Sequence, residues 1–249
     1  PWVGCVIVDA QGSVASYGVH KVRGGSHAEV DALCGGAAHG STVYVTLEPC
    51  ISRPEKLTAA CTDALIAARP KRVVVGIRDP LQPGKGIEAL RAEGIRVDEG
   101  VLADQIHQSL EPWLHACEHG KPFVTLKMAT YADSTYGSPR QRLYVSNDAC
   151  LDDAHRLRSE CDGILVGSET WIRDQPRLTA RRGGMRSPPN LRIYVMDSSL
   201  RTVVPDGVTR VTLLLQSEAD GTRPRRDGSK RHDWCVDSIE AFLRRCRAE

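Results

Sequence analysis

"SHAEVDAL", residues 26–33, and "VYVTLEPC", residues 43–50, decide how the first half of this chain is read. The first stretch opens a segment of helical spacing with a histidine and a glutamate two positions apart; the second is an apolar strand that ends on a cysteine. Working outward, "VGCVIVD" (3–9), "STVYVTL" (41–47), "RVVVGI" (72–77) and "IRVDEGV" (95–101) have the short β-branched runs of strands. Between them, "HAEVDALC" (27–34), "CTDALIAAR" (61–69) and "GIEALRAEG" (86–94) repeat apolar residues at helical spacing. Such alternation predicts a largely parallel or mixed sheet covered by helices. A longer helix is expected over 102–120, stopped by Gly120 and Pro122, which puts a domain boundary near 120 and two units at 1–120 and 121–249. The second unit alternates again: strand "PFVTLKMA" (122–129), helix 148–161, strands at 163–168, 191–197 and 208–215, and helix 236–246, with loops at 181–190 and 220–230.

With 249 residues the chain can bury one large core or two smaller ones. Its 33 basic and 31 acidic residues nearly cancel, so it lacks the clustered basic face that nucleic-acid binding requires. The one basic run, "TRPRRDGSKRH" (222–232), reads as a solvated loop. No apolar run is long enough to cross a bilayer as a helix and no signal peptide is visible, so a cytoplasmic protein without a membrane partner is expected. Nine cysteines, an odd number scattered through a chain of this size, suit a reducing compartment. Cys34, Cys117, Cys150, Cys161, Cys235 and Cys246 have no partner spacing and read as small hydrophobes.

Zinc that does hydrolysis takes three protein ligands of nitrogen or sulfur type and keeps a fourth place open. His27, Cys50 and Cys61 form such a set. Glu29 lies near the start of the same helix as His27, where it can face the pocket without ligating, take a proton from the attacking water and pass it to a leaving amine. H-x-E followed by P-C and a later cysteine is the signature of zinc-dependent nucleobase deaminases. The spacing departs from it, because ten residues separate Cys50 from Cys61 instead of two; a longer loop still closes such a site, since closure entropy grows slowly with length.

Six stretches in order resemble one family: "PWVGCVIVD" (1–9), "GGSHAEVDAL" (24–33), "VYVTLEPC" (43–50), "CTDALIAA" (61–68), "RDPLQPGKGIEALRAEGI" (78–95) and "HRLRSECDGILVGSETWIRDQPRLTAR" (155–181). The family is the bifunctional riboflavin-biosynthesis enzymes, in which a diaminohydroxyphosphoribosylaminopyrimidine deaminase is joined to a 5-amino-6-(5-phosphoribosylamino)uracil reductase. The resemblance implies an α/β chain: a cytidine-deaminase-like three-layer α/β/α domain followed by a dihydrofolate-reductase-like domain, here incomplete or diverged. It implies zinc on His27, Cys50 and Cys61, with Glu29 as the proton shuttle. The implied substrate is a small pyrimidine carrying a ribosyl phosphate, and the implied cofactor of the second half is NADPH. Lys127, Arg158 and Arg181 match residues that contact substrate in the reductase half. "VGSET" (166–170), at a strand end, offers a partial phosphate cradle with Ser168 and Thr170 as cofactor contacts; its plainer reading is a strand-to-helix turn. A homo-oligomer is compatible with this assignment.

The departures are specific. Between the cysteines the family has a loop containing His and Gly that ends in two prolines, and this chain reads "ISRPEKLTAA". The family's "SLDGR" is "YADST" (131–135), which keeps Asp133, its Trp-Ile-Thr is "YVS" (144–146), and its paired aspartates before proline are Asp174 and Gln175. An asparagine precedes the first proline in the family, and its reductase half continues past the point matching Glu249, so a fragment is expected. Two other classes compete: a deaminase of another pyrimidine or of a nucleic-acid base, and a non-catalytic pyrimidine-binding paralogue. Only 5% of residues are aromatic, which disfavours a groove for a flipped base, and the intact His27, Glu29, Cys50 and Cys61 disfavour loss of function in the first half.

Overall fold

The computed structural model describes residues 1–22, 24–36, 38–52, 60–132, 145–188, 191–197 and 201–202, and the elements at 211–216, 234–236 and 239–248. The loop at 53–59, Asp133, Tyr144 and the basic run at 222–232 lie outside the described residues. The chain divides into two units, Pro1–Phe123 and Val124–Glu249.

The first unit is built on one mixed sheet. Its strands are β1 (Gly4–Val8), β2 (Val14–Val19), β3 (Thr42–Leu47), β4 (Arg72–Ile77) and β5 (Arg96–Glu99), in the spatial order β2-β1-β3-β4-β5. β1 runs antiparallel to both β2 and β3, whereas β3, β4 and β5 are parallel. β4, in the middle of the parallel set, has the most continuous run of Val and Ile, "RVVVGI", and is buried at five of its six positions, because helices cover both of its faces. On one face α1 (Ala28–Cys34), α2 (Cys61–Ala68) and α3 (Lys85–Ala92) bury Ala28, Ala32, Leu65, Ile87 and Leu90 against Ile7, Val43, Val45, Val73 and Val75. On the other lies α4 (Ala103–His119), which packs on β4. Its Ile106 comes so close to Gly76 that a Cβ there would stand 2.1 Å from the isoleucine methyl. The result is a three-layer α/β/α domain.

The second unit has a four-stranded sheet in the order β6 (Gly163–Gly167), β7 (Arg192–Met196), β8 (Val211–Gln216), β9 (Trp234–Val236), with every neighbouring pair parallel. Parallel neighbours demand crossovers, and the helices are α5 (Asp148–Glu160), α6 (Ser168–Asp174) and α7 (Ile239–Ala248). Ile193 and Val195 of β7 pack with Leu178, Ile164, Val166 and Trp171, while Tyr194, pointing the other way, meets Phe242 of α7 edge to face. Asn147 caps α5 by accepting the Cys150 N–H at 2.9 Å.

The structure corrects one expected element. Residues 122–129 form no strand, and Val124, Leu126 and Met128 are 62%, 82% and 57% exposed. Their period-two alternation is that of a strand, but a strand exists only through its ladder, and no strand among the described residues pairs with this segment. Conversely, β2 was not expected, because "VASYGV" exposes Val14, Tyr17 and Val19 on a sheet edge and carries no buried run.

Candidate metal centre and active site

Three elements deliver the donors. His27 is the N-cap of α1, and its carbonyl accepts the Asp31 N–H at 2.9 Å. Cys50 follows the end of β3, and Cys61 is the first residue of α2. The intervening loop is closed beside the site by Thr62, whose N–H and hydroxyl each donate to the Cys50 carbonyl at 3.2 Å. Two hydrogen bonds thus place the cysteines together despite their separation in sequence.

The side chains converge on a small triangle. His27 Nδ1 lies 3.4 Å from Cys50 Sγ and 3.3 Å from Cys61 Sγ, and the two sulfurs are 3.3 Å apart. Donors bound to one tetrahedral ion at about 2.0–2.3 Å must stand about 3.5 Å from one another, so this donor set fits a zinc ion. Cys50 and Cys61 are buried and His27 is half-buried.

Glu29, in the first turn of α1, is 3% exposed. Beneath it Cys5 is fully buried, and burial together with the Glu29 charge pushes its thiol up to about 12. Cys5 therefore stays protonated and does not compete as a ligand. α1 is held on β2 by Ser16 Oγ donating to the Ala32 carbonyl at 2.8 Å and by Asp31 accepting the Val19 N–H at 3.1 Å. Gly18 permits the approach: a Cβ there would lie 2.2 Å from the Ala28 carbonyl oxygen.

Sequence reasoning missed three residues around this site. His20 stacks edge to face on His27 at 5.2 Å between ring centroids and bonds the Ser26 carbonyl through Nδ1 at 3.0 Å, orienting the ligand ring; its signal was a second histidine seven residues before the first. Gln82 is 3% exposed, and neither atom of its amide has a hydrogen-bond partner among the described residues. Glu48, two residues before Cys50, is buried and accepts four backbone N–H groups, from Asp79, Gly84, Gly86 and Ile87 at 2.8–3.3 Å. It caps α3 and fastens the 79–86 turn to the strand end that carries Cys50. Gly84 sits at φ +83°, and Gly86 lies so close to Pro49 that a Cβ would meet its carbonyl at 2.0 Å. Changing Glu48 to Gln turns an NH2 toward buried donors, and we expect it to cost about 3 kcal/mol, read as a lowered Tm together with weaker zinc retention; an unchanged Tm would show the cap to be dispensable.

A groove of about 290 Å³ bounded by Gly76, Arg78, Glu99, Gly100 and His107 contains none of these residues; donor chemistry, not volume, locates the site.

In the second unit the sequence-derived positions separate. Arg158 on α5 and Arg181 on the loop after α6 come close enough for Arg181 to add to burial in holding the Arg158 guanidinium below its usual range. Lys127 is exposed on the irregular 122–132 segment and meets neither arginine among the described residues. Ser168 opens α6 half-buried, with Arg201 Nη2 at 3.4 Å from its hydroxyl, and Thr170, two residues on, is exposed.

Comparison with known proteins follows the same division. Residues 1–77 match the cytidine and deoxycytidylate deaminase zinc-binding region, and residues 122–227 match the RibD C-terminal domain. The chain is 41% identical over 202 residues to the riboflavin biosynthesis protein RibD of Mycobacterium tuberculosis, covering 78% of this chain and 59% of that protein. It is 40% identical over 186 residues to RibD of Aquifex aeolicus, covering 73% and 51%. It thus spans between half and three fifths of the length of these relatives. Among solved structures, the diaminohydroxyphosphoribosylaminopyrimidine deaminase/5-amino-6-(5-phosphoribosylamino)uracil reductase of Thermotoga maritima superposes with a TM-score of 0.84 at 31% identity, over 99% of this chain and 71% of that one. RibD of Acinetobacter baumannii gives 0.82 at 28% identity, over 97% and 69%. The chain therefore belongs to the RibD family of riboflavin-biosynthesis proteins, with a cytidine-deaminase-like domain followed by a dihydrofolate-reductase-like RibD C-terminal domain.

Proposed function

We propose that the first unit is a zinc-dependent hydrolase that deaminates 2,5-diamino-6-(5-phosphoribosylamino)pyrimidin-4-one to 5-amino-6-(5-phosphoribosylamino)uracil in riboflavin biosynthesis. The observation that carries this reading is the triangle of one imidazole nitrogen and two thiol sulfurs with a buried carboxylate two residues beyond the histidine. His27, Cys50 and Cys61 would hold the zinc, which when bound makes water a competent nucleophile at neutral pH. The chain's own acid–base group is Glu29. Its carboxylate takes a proton from the attacking water as the oxygen bonds to the ring carbon that bears the amino group. It then gives that proton to the amino nitrogen as the carbon–nitrogen bond breaks and ammonia leaves. Burial of Glu29 keeps the proton from exchanging with bulk water during the step.

The same reading gives the second unit the NADPH-dependent reduction of the ribosyl chain to a ribityl chain. Arg158 and Arg181 would hold the substrate's phosphate, with Lys127 as a further substrate contact. The turn from β6 into α6 would receive NADPH in part, through Ser168 and Thr170. Among the described residues nothing lies within 4 Å of the side of Gly167 where a Cβ would stand, which leaves room there for a phosphate. Hydride from the reduced nicotinamide is the chemistry that cofactor supplies. On this reading the protein is a cytosolic homo-oligomer acting on a small molecule, and its near-neutral charge fits such a substrate better than nucleic acid. No helix among the described residues is long and apolar enough to cross a membrane.

The test is to incubate the zinc-loaded chain with the diaminopyrimidine ribosyl phosphate, with and without NADPH, and to record ammonia and product mass. Ammonia with exchange of the amino group for oxygen is expected, and a further gain of two hydrogens with NADPH marks the reductase step. Full zinc occupancy without ammonia overturns the deaminase assignment.

A further inference from the structure

One face of α5 carries Asp148, Asp152, His155 and Arg158 at spacings of four, three and three, which places them in a row along the helix. The 178–182 loop lies along that row. Arg182 forms ion pairs with Asp148 at 2.9 Å and Asp152 at 2.6 Å. His155, 4% exposed, accepts the Arg181 N–H on Nδ1 at 3.1 Å. With Nδ1 an acceptor, a neutral imidazole carries its hydrogen on Nε2, so this bond defines one neutral tautomer. On its other side the loop is held by the Ala180 N–H donating to Ser187 Oγ at 2.7 Å.

The fastening forces the backbone. Leu178 is buried at φ +49°, in the left-handed region that a bulky residue rarely enters. Such strain persists only where surrounding contacts over-determine it, and it clusters at binding sites. Among the described residues the Arg181 guanidinium donates only to Thr179, to its hydroxyl at 3.2 Å and to its carbonyl at 3.4 Å. Arg158, half-buried, makes no hydrogen bond or ion pair among the described residues. Two guanidiniums brought together without a carboxylate repel one another unless an anion joins them.

We propose that His155 is a positioning residue: by accepting the Arg181 N–H one helical turn from Arg158, it sets Arg181 beside Arg158 so that the two form one site for a phosphate monoester. This rests on the reading of Arg158 and Arg181 as the substrate-phosphate contacts. The charges facing the ring agree with it. Burial first, then Arg158 on its own helix and Arg181 and Arg182 on the loop, hold the imidazole below its ordinary pKa of 6.5, while the carboxylates of Asp148 and Asp152 are engaged by Arg182. Protonation would place a second hydrogen between Nδ1 and the Arg181 N–H, break that bond and release the arm.

Sulfate is the probe, because its charge is constant over pH 5–8, and calorimetry on the full chain reads its affinity. At pH 7.5 Arg158→Gln is expected to weaken sulfate at least about tenfold, the scale of losing one charged hydrogen bond. His155→Leu should weaken it by a similar factor, and His155→Asn, whose Oδ1 takes the place of Nδ1 as acceptor, should restore most of the loss. Wild-type affinity should fall as pH drops below 6.5 toward the lowered histidine pKa, and the His155→Asn profile should stay flat. A merely structural histidine would not transfer the pH dependence in this way. Folded His155→Leu with wild-type affinity overturns the proposal, as does a His155→Asn profile identical to wild type, which decides the matter even if the leucine variant does not fold. Sulfate affinity unchanged by Arg158→Gln instead removes the phosphate site itself, and the positioning role with it.

Discussion

Glu29→Gln is expected to keep its zinc and its fold and to lose at least about 10³-fold in kcat for deamination, within the 10²–10⁴-fold range that a positioned acid–base group contributes. The glutamine has nearly the same volume in a site where Glu29 is 3% exposed, and it does not disturb His27, Cys50 or Cys61. What disappears is the group that carries a proton from the attacking water to the leaving nitrogen. The carboxylate acts only as bonds change, so substrate affinity should move little and the loss should fall on kcat. Ammonia release under saturating substrate, beside metal analysis of the same sample, measures both. Turnover within tenfold of wild type would remove Glu29 from the mechanism.

Cys61→Ser acts on the metal instead. Serine offers a hard, protonated oxygen where zinc takes a soft thiolate, and Cys61 is fully buried at the start of α2. Outer-sphere changes already weaken zinc by 10–100-fold, so loss of a direct ligand should exceed about 100-fold and abolish ammonia release. Stability should follow, because a metal that binds only the folded state adds to its stability by mass action, by about 4 kcal/mol when present at a thousand times its Kd. A chelator should therefore lower the Tm of the wild-type chain and leave that of Cys61→Ser where it already is. Unchanged zinc content in the variant would show that the spacing between the cysteines had been misread.

How far the sequence led can be seen element by element. β4 was legible because a strand covered on both faces must be apolar at nearly every position, as "RVVVGI" is, and β3 because "TVYVTL" is a short β-branched and aromatic run whose Val43, Val45 and Leu47 alternate into the core. His27 and Cys50 stood out because a catalytic metal restricts the residue types allowed, and restriction is visible without a structure. β2 was hidden by its exposed edge, and residues 122–129 showed the pattern of a strand without a partner to make them one. Glu48 was invisible for another reason: its role as acceptor of four N–H groups exists only once β3, the 79–86 turn and α3 have met. Arg158, His155 and Arg181 belong to one row only after the 178–182 loop has folded back along α5, a tertiary fact that no local period encodes.

The most direct test of the central claim is a titration of zinc into metal-free protein with ammonia release recorded at each point. The account predicts that deamination rises in proportion to bound zinc, saturates at one ion per chain and is absent without it. Ammonia release that ignores zinc, or a fully loaded protein that releases none, would contradict it.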